Sequence, residues 1–302
     1  MTARHVRSVV VATLVPILLA VADVEVGAQM RAGLWLDVFV QTEDGTPVTD
    51  LSRGDFVVQQ GDAIGRILDA ELVEWPLRVV LLVEESSRLA RYLTHLRNGL
   101  PQLVDGLPEG SEVAVVLFAS RPRTLVETTT DLAAVRESFG QYFARRGANA
   151  NLFQAFRETV DQLYSDYAEG PVIATITGDG STNVARRRVD RLVEQVTETG
   201  ITVHSLILNT QAATRQAGIA RGFSELTGGV VEEISNPSVA VVRKLTELGQ
   251  VITERAAARP ARYLVTFQPP AEADDPTAEI TIAVRRRQVR VQVRGQSDSR
   301  ER

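Results

Sequence analysis

Apolar and polar positions alternate along the first folded part of the chain, residues 34–74. One face of the first run carries Leu34, Leu36, Val38 and Val40. A period of two is typical of strands that bury one face, and turn-forming residues at 43–47 interrupt the pattern. No helical period occurs before Trp75. The pattern therefore predicts a small β segment over residues 29–76.

Beyond Pro76 the pattern changes to apolar runs that alternate with amphipathic stretches. Residues 77–83 are almost continuously apolar, which is typical of a strand covered on both faces of a parallel sheet. Further strands are predicted at 113–118, 123–127, 172–177, 201–208 and 230–234, with helices at 87–104, 132–143, 152–164, 184–197, 213–226 and 239–257. These repeated β-α units predict an α/β domain over residues 77–258. Its sheet is expected to be doubly wound, mostly parallel and Rossmann-like, with helices on both faces.

Alternation returns after Pro260. Tyr263, Val265 and Phe267 share one face, and two further alternating runs follow at 280–284 and 289–293. These runs predict a C-terminal β hairpin segment over residues 259–295, followed by a tail at 296–302. We expect this segment to pair with the N-terminal β segment.

The first 28 residues have the layout of a secretory signal. Arg4 and Arg7 precede an apolar run over residues 9–22, and small residues end at Ala28. The run contains Pro16 and is shorter than the ~20 residues of a membrane span, so export with cleavage is favoured over a retained anchor. No later segment is long and apolar enough to span a membrane. We therefore expect a periplasmic or secreted protein.

Composition limits the chemistry that the chain can perform. The 302 residues include no cysteine, which excludes disulfides, thiolate metal sites and cysteine nucleophiles. A formal net charge of −5 does not point to a nucleic-acid partner. His204 and Ser205 are neighbours in a predicted strand, but neither Ser86, Ser181 nor Ser205 lies in a Gly-x-Ser-x-Gly elbow. We therefore expect no enzyme activity.

The loop after the first buried strand is the first place to look for a ligand site. Open α/β sheets bind ligands beyond the carboxyl ends of their strands, where the strand order reverses. The loop contains Glu84, Glu85, Ser86 and Arg88 but no glycine. A glycine-rich phosphate loop is therefore absent, whereas oxygen ligands for a hard cation are present.

The sequence resembles the von Willebrand factor type A domain, and in particular secreted bacterial proteins in which such a domain has flanking β segments. The resemblance covers nearly the whole chain after the signal. It is carried by DGTPV at 44–48, DF at 55–56, TTDL at 129–132, NLFQAF at 151–156 and RYLVTF at 262–267. The resemblance implies an adhesion or protein-binding module rather than an enzyme.

The resemblance also implies a metal site, which this sequence carries only in part. In many such domains an Asp-x-Ser-x-Ser loop, a threonine before the next long helix and the aspartate of an Asp-Gly turn hold a divalent metal. The remaining candidate ligands are Glu84, Ser86 and Asp179. Glu84 replaces the aspartate, Arg88 the second serine and Ala150 the threonine. We expect no cofactor, with the guanidinium of Arg88 neutralising the nearby carboxylates. A weak, rearranged Mg²⁺ or Ca²⁺ site is the alternative.

Three loops are expected to form the binding face: the loop at 84–88, the loop at 147–151 and the loop at 177–183. Their candidate residues are Glu84, Glu85, Ser86, Arg88, Asn149, Asn151, Thr177, Asp179 and Ser181. Helix capping is the competing role for the polar residues at 181–183. We thus expect an exported module that engages a protein or cell-surface ligand. The alternative is a structural or assembly component of the cell envelope that acts through its β flanks, including the arginine-rich residues 285–294.

Overall fold

A computed structural model describes residues 11–12, 34–74, 76–145, 150–165, 170–178, 184–208, 215–235, 239–270 and 279–294. The chain divides into two compact units, which we call the β unit (Met1–Trp75 with Ala257–Arg302) and the α/β unit (Pro76–Ala256).

The described residues form strands and helices that follow one another along the whole chain. The strands are β1 (Val11–Ala12), β2 (Leu34–Thr42), β3 (Phe56–Gln60), β4 (Ala63–Val73), β5 (Arg78–Glu84), β6 (Glu112–Phe118), β7 (Pro122–Thr129), β8 (Val172–Gly178), β9 (Thr202–Leu208), β10 (Val231–Ile234), β11 (Ala261–Gln268), β12 (Ile280–Val284) and β13 (Val289–Arg294). The α-helices are α1 (Leu93–Asp105), α2 (Leu132–Ser138), α3 (Leu152–Ser165), α4 (Arg186–Thr199), α5 (Arg215–Leu226) and α6 (Val239–Ala257).

Seven strands form the antiparallel sheet of the β unit, in the spatial order β1-β12-β3-β4-β11-β2-β13. β11 pairs with both β2 and β4, and every second residue of β11 is buried, as a period of two predicts. In the apolar core the Tyr263 hydroxyl accepts a hydrogen bond from the Leu51 N–H and donates one to the Val48 carbonyl, both at 3.0 Å. The terminal segments therefore pair with each other, as expected.

The two strands predicted as a C-terminal hairpin do not pair with each other. β12 pairs with β3, whereas β13 pairs with β2 on the other side of the strand order. The link between them is held at both ends. The Arg285 N–H donates to the Asp55 carbonyl at 2.8 Å, and the Gln288 carbonyl accepts from the Glu43 N–H at 3.0 Å. The hairpin prediction is wrong because alternation identifies the buried face of a strand but not its partner.

Strand β1 pairs antiparallel with β12, with Val11 opposite Ala283 and Ala12 opposite Ile282. These two residues lie within the segment predicted to be a signal, and export with cleavage after Ala28 stays a prediction. Among the helices that the structure describes, none has the length and apolar character needed to cross a membrane.

The α/β unit has a six-stranded sheet in the order β10-β9-β8-β5-β6-β7. Its strands are parallel except β7, which runs antiparallel to β6. Successive residues of β5 face opposite sides of the sheet. Leu81 lies in the core formed with α1 and α6, and Leu82 lies in the core formed with α3, α4 and α5. The chain is thus mixed α/β, and "mostly parallel" describes only this sheet, because the flanking β segments build a large antiparallel one.

Two predicted helices are shorter than their sequence pattern indicates. The helix expected over 87–104 divides into a 3₁₀ helix, Ser87–Tyr92, and α1. The helix expected over 132–143 ends at Ser138, and Tyr142 has an extended backbone. Both departures bring polar groups to the carboxyl end of β5.

Candidate functional site

The strand order of the α/β sheet reverses between β5 and β8. From β5 the chain continues to β6 on one side, whereas β8 lies on the other side of β5. A crevice forms at such a switch point, beyond the carboxyl ends of the two strands. Glu84 ends β5 and Gly178 ends β8. The sequence-predicted loop therefore lies at the switch point.

Glu84 is fully buried at this switch point. Its Oε2 atom accepts hydrogen bonds from the Gly178 N–H at 2.7 Å and from the Thr177 hydroxyl and the Gln216 side-chain amide, each at 2.9 Å. The Ser86 hydroxyl donates to its Oε1 atom. All four donors are uncharged and come from three separate elements. Glu84 thus joins the β5 loop, β8 and α5.

Glu85 is also fully buried, but its partners are cations. Arg123 contacts both carboxylate oxygens, with Nε 3.1 Å from Oε1 and Nη2 2.8 Å from Oε2. Arg145 contributes Nη1 at 3.3 Å from Oε1. The side chains of Arg123 and Arg145 are 40% and 60% exposed. They cover the buried carboxylate and present their guanidinium groups to solvent, so this group of three side chains has a net charge of +1.

The segment before α3 is hydrogen-bonded to backbone carbonyl groups of the same loop. The Tyr142 hydroxyl donates to the Glu84 carbonyl and the Arg145 N–H donates to the Glu85 carbonyl, both at 2.6 Å. The Glu85 N–H in turn donates to the Phe118 carbonyl at 2.8 Å. Burial raises the pKa of Tyr142 well above its ordinary value, and the negative charges of Glu84 and Glu85 add to this effect. The phenol therefore stays a hydrogen-bond donor at neutral pH.

Several candidate residues are thus supports of the loop rather than parts of its surface. Glu84, Glu85, Ser86 and Thr177 are all buried. Arg88 is exposed in the 3₁₀ helix, and its N–H donates to the Ser86 hydroxyl at 3.3 Å. The guanidinium groups that contact Glu85 belong to Arg123 and Arg145, rather than to Arg88 as the sequence led us to expect.

The other loop candidates have separate outcomes. Asn151 lies immediately before α3, where its side-chain oxygen accepts from the Gln154 N–H at 3.2 Å in the manner of a helix cap. Asn149, Asp179 and Ser181 lie outside the described residues.

Four important residues of the site carried no signal in the sequence: Arg123, Arg145, Tyr142 and Gln216. Gln216 is 132 residues from Glu84 along the chain and Arg145 is 60 residues from Glu85, so neither spacing forms a motif. The one usable signal was chemical: two adjacent glutamates after a buried strand require donors or cations.

The oxygen atoms of the described residues at this site are not arranged as ligands of a divalent cation of the kind that the resemblance implies. Both oxygens of Glu84 point at N–H and O–H groups, and the Ser86 hydroxyl donates to Glu84. Ala150 is buried and has no side-chain oxygen. Within the described ranges, no group of three or more histidine, aspartate or glutamate side chains is arranged to hold a metal ion.

His204 and Ser205 do not form a nucleophile–base pair. They are successive residues of β9 and therefore face opposite sides of the sheet. The Ser205 hydroxyl donates to the Ala220 carbonyl at 3.2 Å, whereas His204 Nδ1 accepts from the Val230 N–H at 3.1 Å. Burial lowers the pKa of His204 to about 4, with a smaller contribution from the charge of Arg255.

Comparison with known proteins supports the fold class. No protein-family model matches the chain, and no curated protein matches it. Among solved structures, a von Willebrand factor type A protein from Catenulispora acidiphila is 9% identical, with a TM-score of 0.50 over 89% of this chain and 68% of that one. BatB from Bacteroides thetaiotaomicron (16% identity, TM-score 0.47) and an aerotolerance-related membrane protein from Bacteroides fragilis (16%, 0.45) each match over 59% of this chain and 99% of theirs. The first of these similarities shows that the fold is von Willebrand factor type A-like.

Proposed function

We propose that this chain is an exported, non-enzymatic binding module that engages a protein or cell-surface ligand at the carboxyl edge of the α/β sheet without a bridging metal. One observation carries the proposal: both carboxylates at the switch point are buried and paired with donors of the chain itself. The von Willebrand type A-like fold supports a binding role, because ligands of open α/β sheets meet this edge.

The hydrogen bonds around Glu84 suit a rigid platform. They join the ends of β5 and β8 to α5, while Tyr142 fixes the segment before α3. A site whose supporting side chains are locked in place keeps the geometry of its surface groups. Arg123 and Arg145 present exposed guanidinium groups at this platform. We infer that a ligand meets these groups rather than a metal held by carboxylates.

An envelope-assembly role through the β unit is the second candidate. The observation that favours it is the group of exposed arginines in the link between β12 and β13, Arg285, Arg286 and Arg287. Arg286 is paired with Asp50 through two hydrogen bonds, one of them at 2.8 Å. Arginines at the border of a sheet also prevent edge-to-edge association, which is a role without a partner.

A capture experiment separates the two candidates. Immobilised full chain is incubated with the envelope fraction of its own source, cross-linked, and the retained proteins are quantified. Phe143 and Arg121 are both exposed, and each lies two residues before one of the arginines that contact Glu85. We expect the double variant Phe143→Ser/Arg121→Ser to lose specifically retained proteins while its thermal unfolding is unchanged. The matched variant Arg285→Ser/Arg287→Ser, in the β unit, should retain them. The reverse pattern would favour the assembly role.

Divalent cations are expected to leave the thermal stability of the chain unchanged. A cation present at 100 times its dissociation constant would add about 2.7 kcal/mol, which shifts the unfolding temperature by several degrees for a domain of this size. The measurement compares thermal unfolding in EDTA with unfolding in Mg²⁺, Ca²⁺ and Mn²⁺. A rise with one cation that Glu84→Gln abolishes would contradict the metal-independent proposal.

A further inference from the structure

A groove of about 600 Å³ lies between α3 and α4 of the α/β unit. Each of these helices leads into the amino end of the next parallel strand, β8 or β9, so the two helices run in the same direction. The charged side chains that line the groove come from both helices, and their charges sum to zero. They are Arg157 and Asp161 from α3, and Arg188, Arg191, Glu194 and Glu198 from α4.

The charges of the groove are separated by sign along its length. On each helix every arginine that lines the groove precedes every acid. The groove therefore has a positive end toward the carboxyl edge of the sheet and a negative end toward its amino edge. Arg188 and Glu198 are ten residues apart, which is about 15 Å along a helix. Glu158 and Asp190 are also exposed on these helices, but neither of them lines the groove.

The order of charges on α4 is unfavourable for the helix itself. Arg188 lies in the first turn of α4 and Glu198 in the last, and both charges oppose the helix dipole. Glu194 and Glu198 are like charges four residues apart, and such pairs repel each other. Within the described residues, Arg188, Arg191, Glu194 and Glu198 form no ion pair that would offset this. A partner with the opposite order of charges would offset it.

A second copy of the same groove supplies that opposite order. Two facing grooves can be related by a two-fold axis that runs along the groove or by one that runs across it. An axis along the groove makes each charge face its own equivalent, so that like charges meet. An axis across the groove reverses the second copy, so that the positive end of each groove meets the negative end of the other. Electrostatic complementarity therefore selects the axis across the groove.

One such axis matches the charges of both helices at once. Gln195 Nε2 donates to Asp161 Oδ1 at 3.2 Å, so these two residues lie at the same height along the groove. The midpoint between Arg157 and Asp161 is two residues before Asp161, and the midpoint between Arg188 and Glu198 is two residues before Gln195. The two midpoints therefore also lie at one height. A single two-fold axis can pass through both.

An exposed aromatic ring extends this surface on α3. Tyr164 is 56% exposed, and it follows Asp161 by three residues and Arg157 by seven. This spacing places the three side chains on one stripe of the helix. In the reversed arrangement Tyr164 faces Gln154 of the second copy, because both residues are five positions from the same midpoint. Aromatic side chains are enriched in protein–protein interfaces, and this ring adds apolar area at each end of the groove.

We propose that the α3–α4 groove is a self-association surface, in which two copies of the chain pack antiparallel about a two-fold axis across the groove. Arg157 of each copy then faces Asp161 of the other, and Arg188 faces Glu198 in the same way. This surface is separate from the carboxyl edge to which the proposed function assigns the ligand. The self-association therefore stands or falls independently of that ligand.

Sedimentation velocity of the full chain over a concentration series tests the proposal. The test variants are Arg188→Glu and Glu198→Arg, each of which makes like charges face each other at both ends of the dimer. Both changes also suit the dipole of α4, so the fold should be retained, and thermal unfolding checks this. The matched control is Arg287→Glu, which makes the same change in charge at an exposed position of the β unit.

We expect the unchanged chain to dimerise, more strongly at low salt, and Arg287→Glu to dimerise within about twofold of it. Each test variant alone should dimerise at least about tenfold more weakly, because like charges that face each other are costly. An equimolar mixture of the two test variants should form heterodimers about as strongly as the unchanged chain dimerises. In the heterodimer opposite charges meet again at both ends.

The mixture is the decisive measurement, because only the antiparallel arrangement predicts its recovery. A mixture that associates no more strongly than the separate variants would overturn the proposal. So would an unchanged chain that stays monomeric up to several hundred micromolar, or a dimer that neither test variant weakens. An equal loss with Arg287→Glu would indicate general charge effects and would also contradict it.

Discussion

Replacing Glu84 with leucine is expected to lower the free energy of unfolding by about 3–5 kcal/mol. The substitution removes the acceptor for the Gly178 N–H, the Thr177 hydroxyl, the Gln216 amide and the Ser86 hydroxyl. A buried donor that loses its acceptor costs about 1–3 kcal/mol, and rotation of the hydroxyl groups recovers part of the sum. Urea unfolding followed by circular dichroism measures the change. An unaltered unfolding midpoint would contradict the structural role assigned to this carboxylate.

Glu84→Gln is the informative companion to the leucine variant. Glutamine keeps a carbonyl oxygen where Oε2 accepts three hydrogen bonds, and the Ser86 hydroxyl can rotate to accept from the new amide. We therefore expect a loss of about 1–2 kcal/mol, smaller than that of the leucine variant. Capture of a partner should survive, because the carboxylate supports the loop from beneath. If a metal ion bridged the chain to its partner, Glu84→Gln would instead abolish capture, because the metal ion would need the negative charge of Glu84.

The motifs that carry the family resemblance have structural roles that physical chemistry explains. Asp131 caps α2 by accepting hydrogen bonds from the Ala133 and Ala134 N–H groups, both at 3.0 Å. Asn151 acts in the same way at the start of α3. Tyr263 joins β11 to the chain around Leu51 in the core of the β unit. At Asp131, Asn151 and Tyr263 the resemblance therefore reflects helix caps and a core hydrogen bond of the fold.

The α/β sheet could be predicted because its signal is local. Each buried strand, such as β5 with Leu81 and Leu82 facing opposite cores, is a continuous apolar run. The antiparallel sheet of the β unit could be predicted only as separate strands. Its pairings join residues as distant as Val38 and Tyr263, and no local pattern specifies them.

The sequence predicted where the loop after β5 lies in the sheet but not which side chains contact its carboxylates. Topology alone placed the loop after β5 at the switch point. The sequence suggested Arg88 as the neutralising cation because it is close to Glu85 along the chain. Arg123 contacts Glu85 instead, because the antiparallel pairing of β7 with β6 brings its first residues to the carboxyl end of β6. The ion pair of Glu85 forms with a residue that is close in the folded structure, and the spacing of the two residues along the chain does not reveal this closeness.

The pH dependence of stability should identify His204 as a buried neutral histidine. Burial lowers its pKa to about 4 from an ordinary value of 6.5. The folded state thus binds a proton less readily than the unfolded state, so the contribution of His204 to stability is complete above about pH 6.5 and falls as the pH decreases toward 4. Between pH 7 and pH 5 the loss is about 2 kcal/mol.

Urea unfolding at intervals from pH 7 to pH 5 measures this loss. His204→Asn keeps an oxygen near the position of Nδ1, which accepts from the Val230 N–H, and removes the titrating ring. We expect this variant to be less stable than the unchanged chain at pH 7 and to show a flatter pH dependence. His95→Asn, in α1, is the matched control for the replacement of a histidine by asparagine and should retain the original slope. Parallel pH profiles for the unchanged chain and His204→Asn would show that His204 is not the group responsible, since a residue that binds its proton equally in both states contributes no slope.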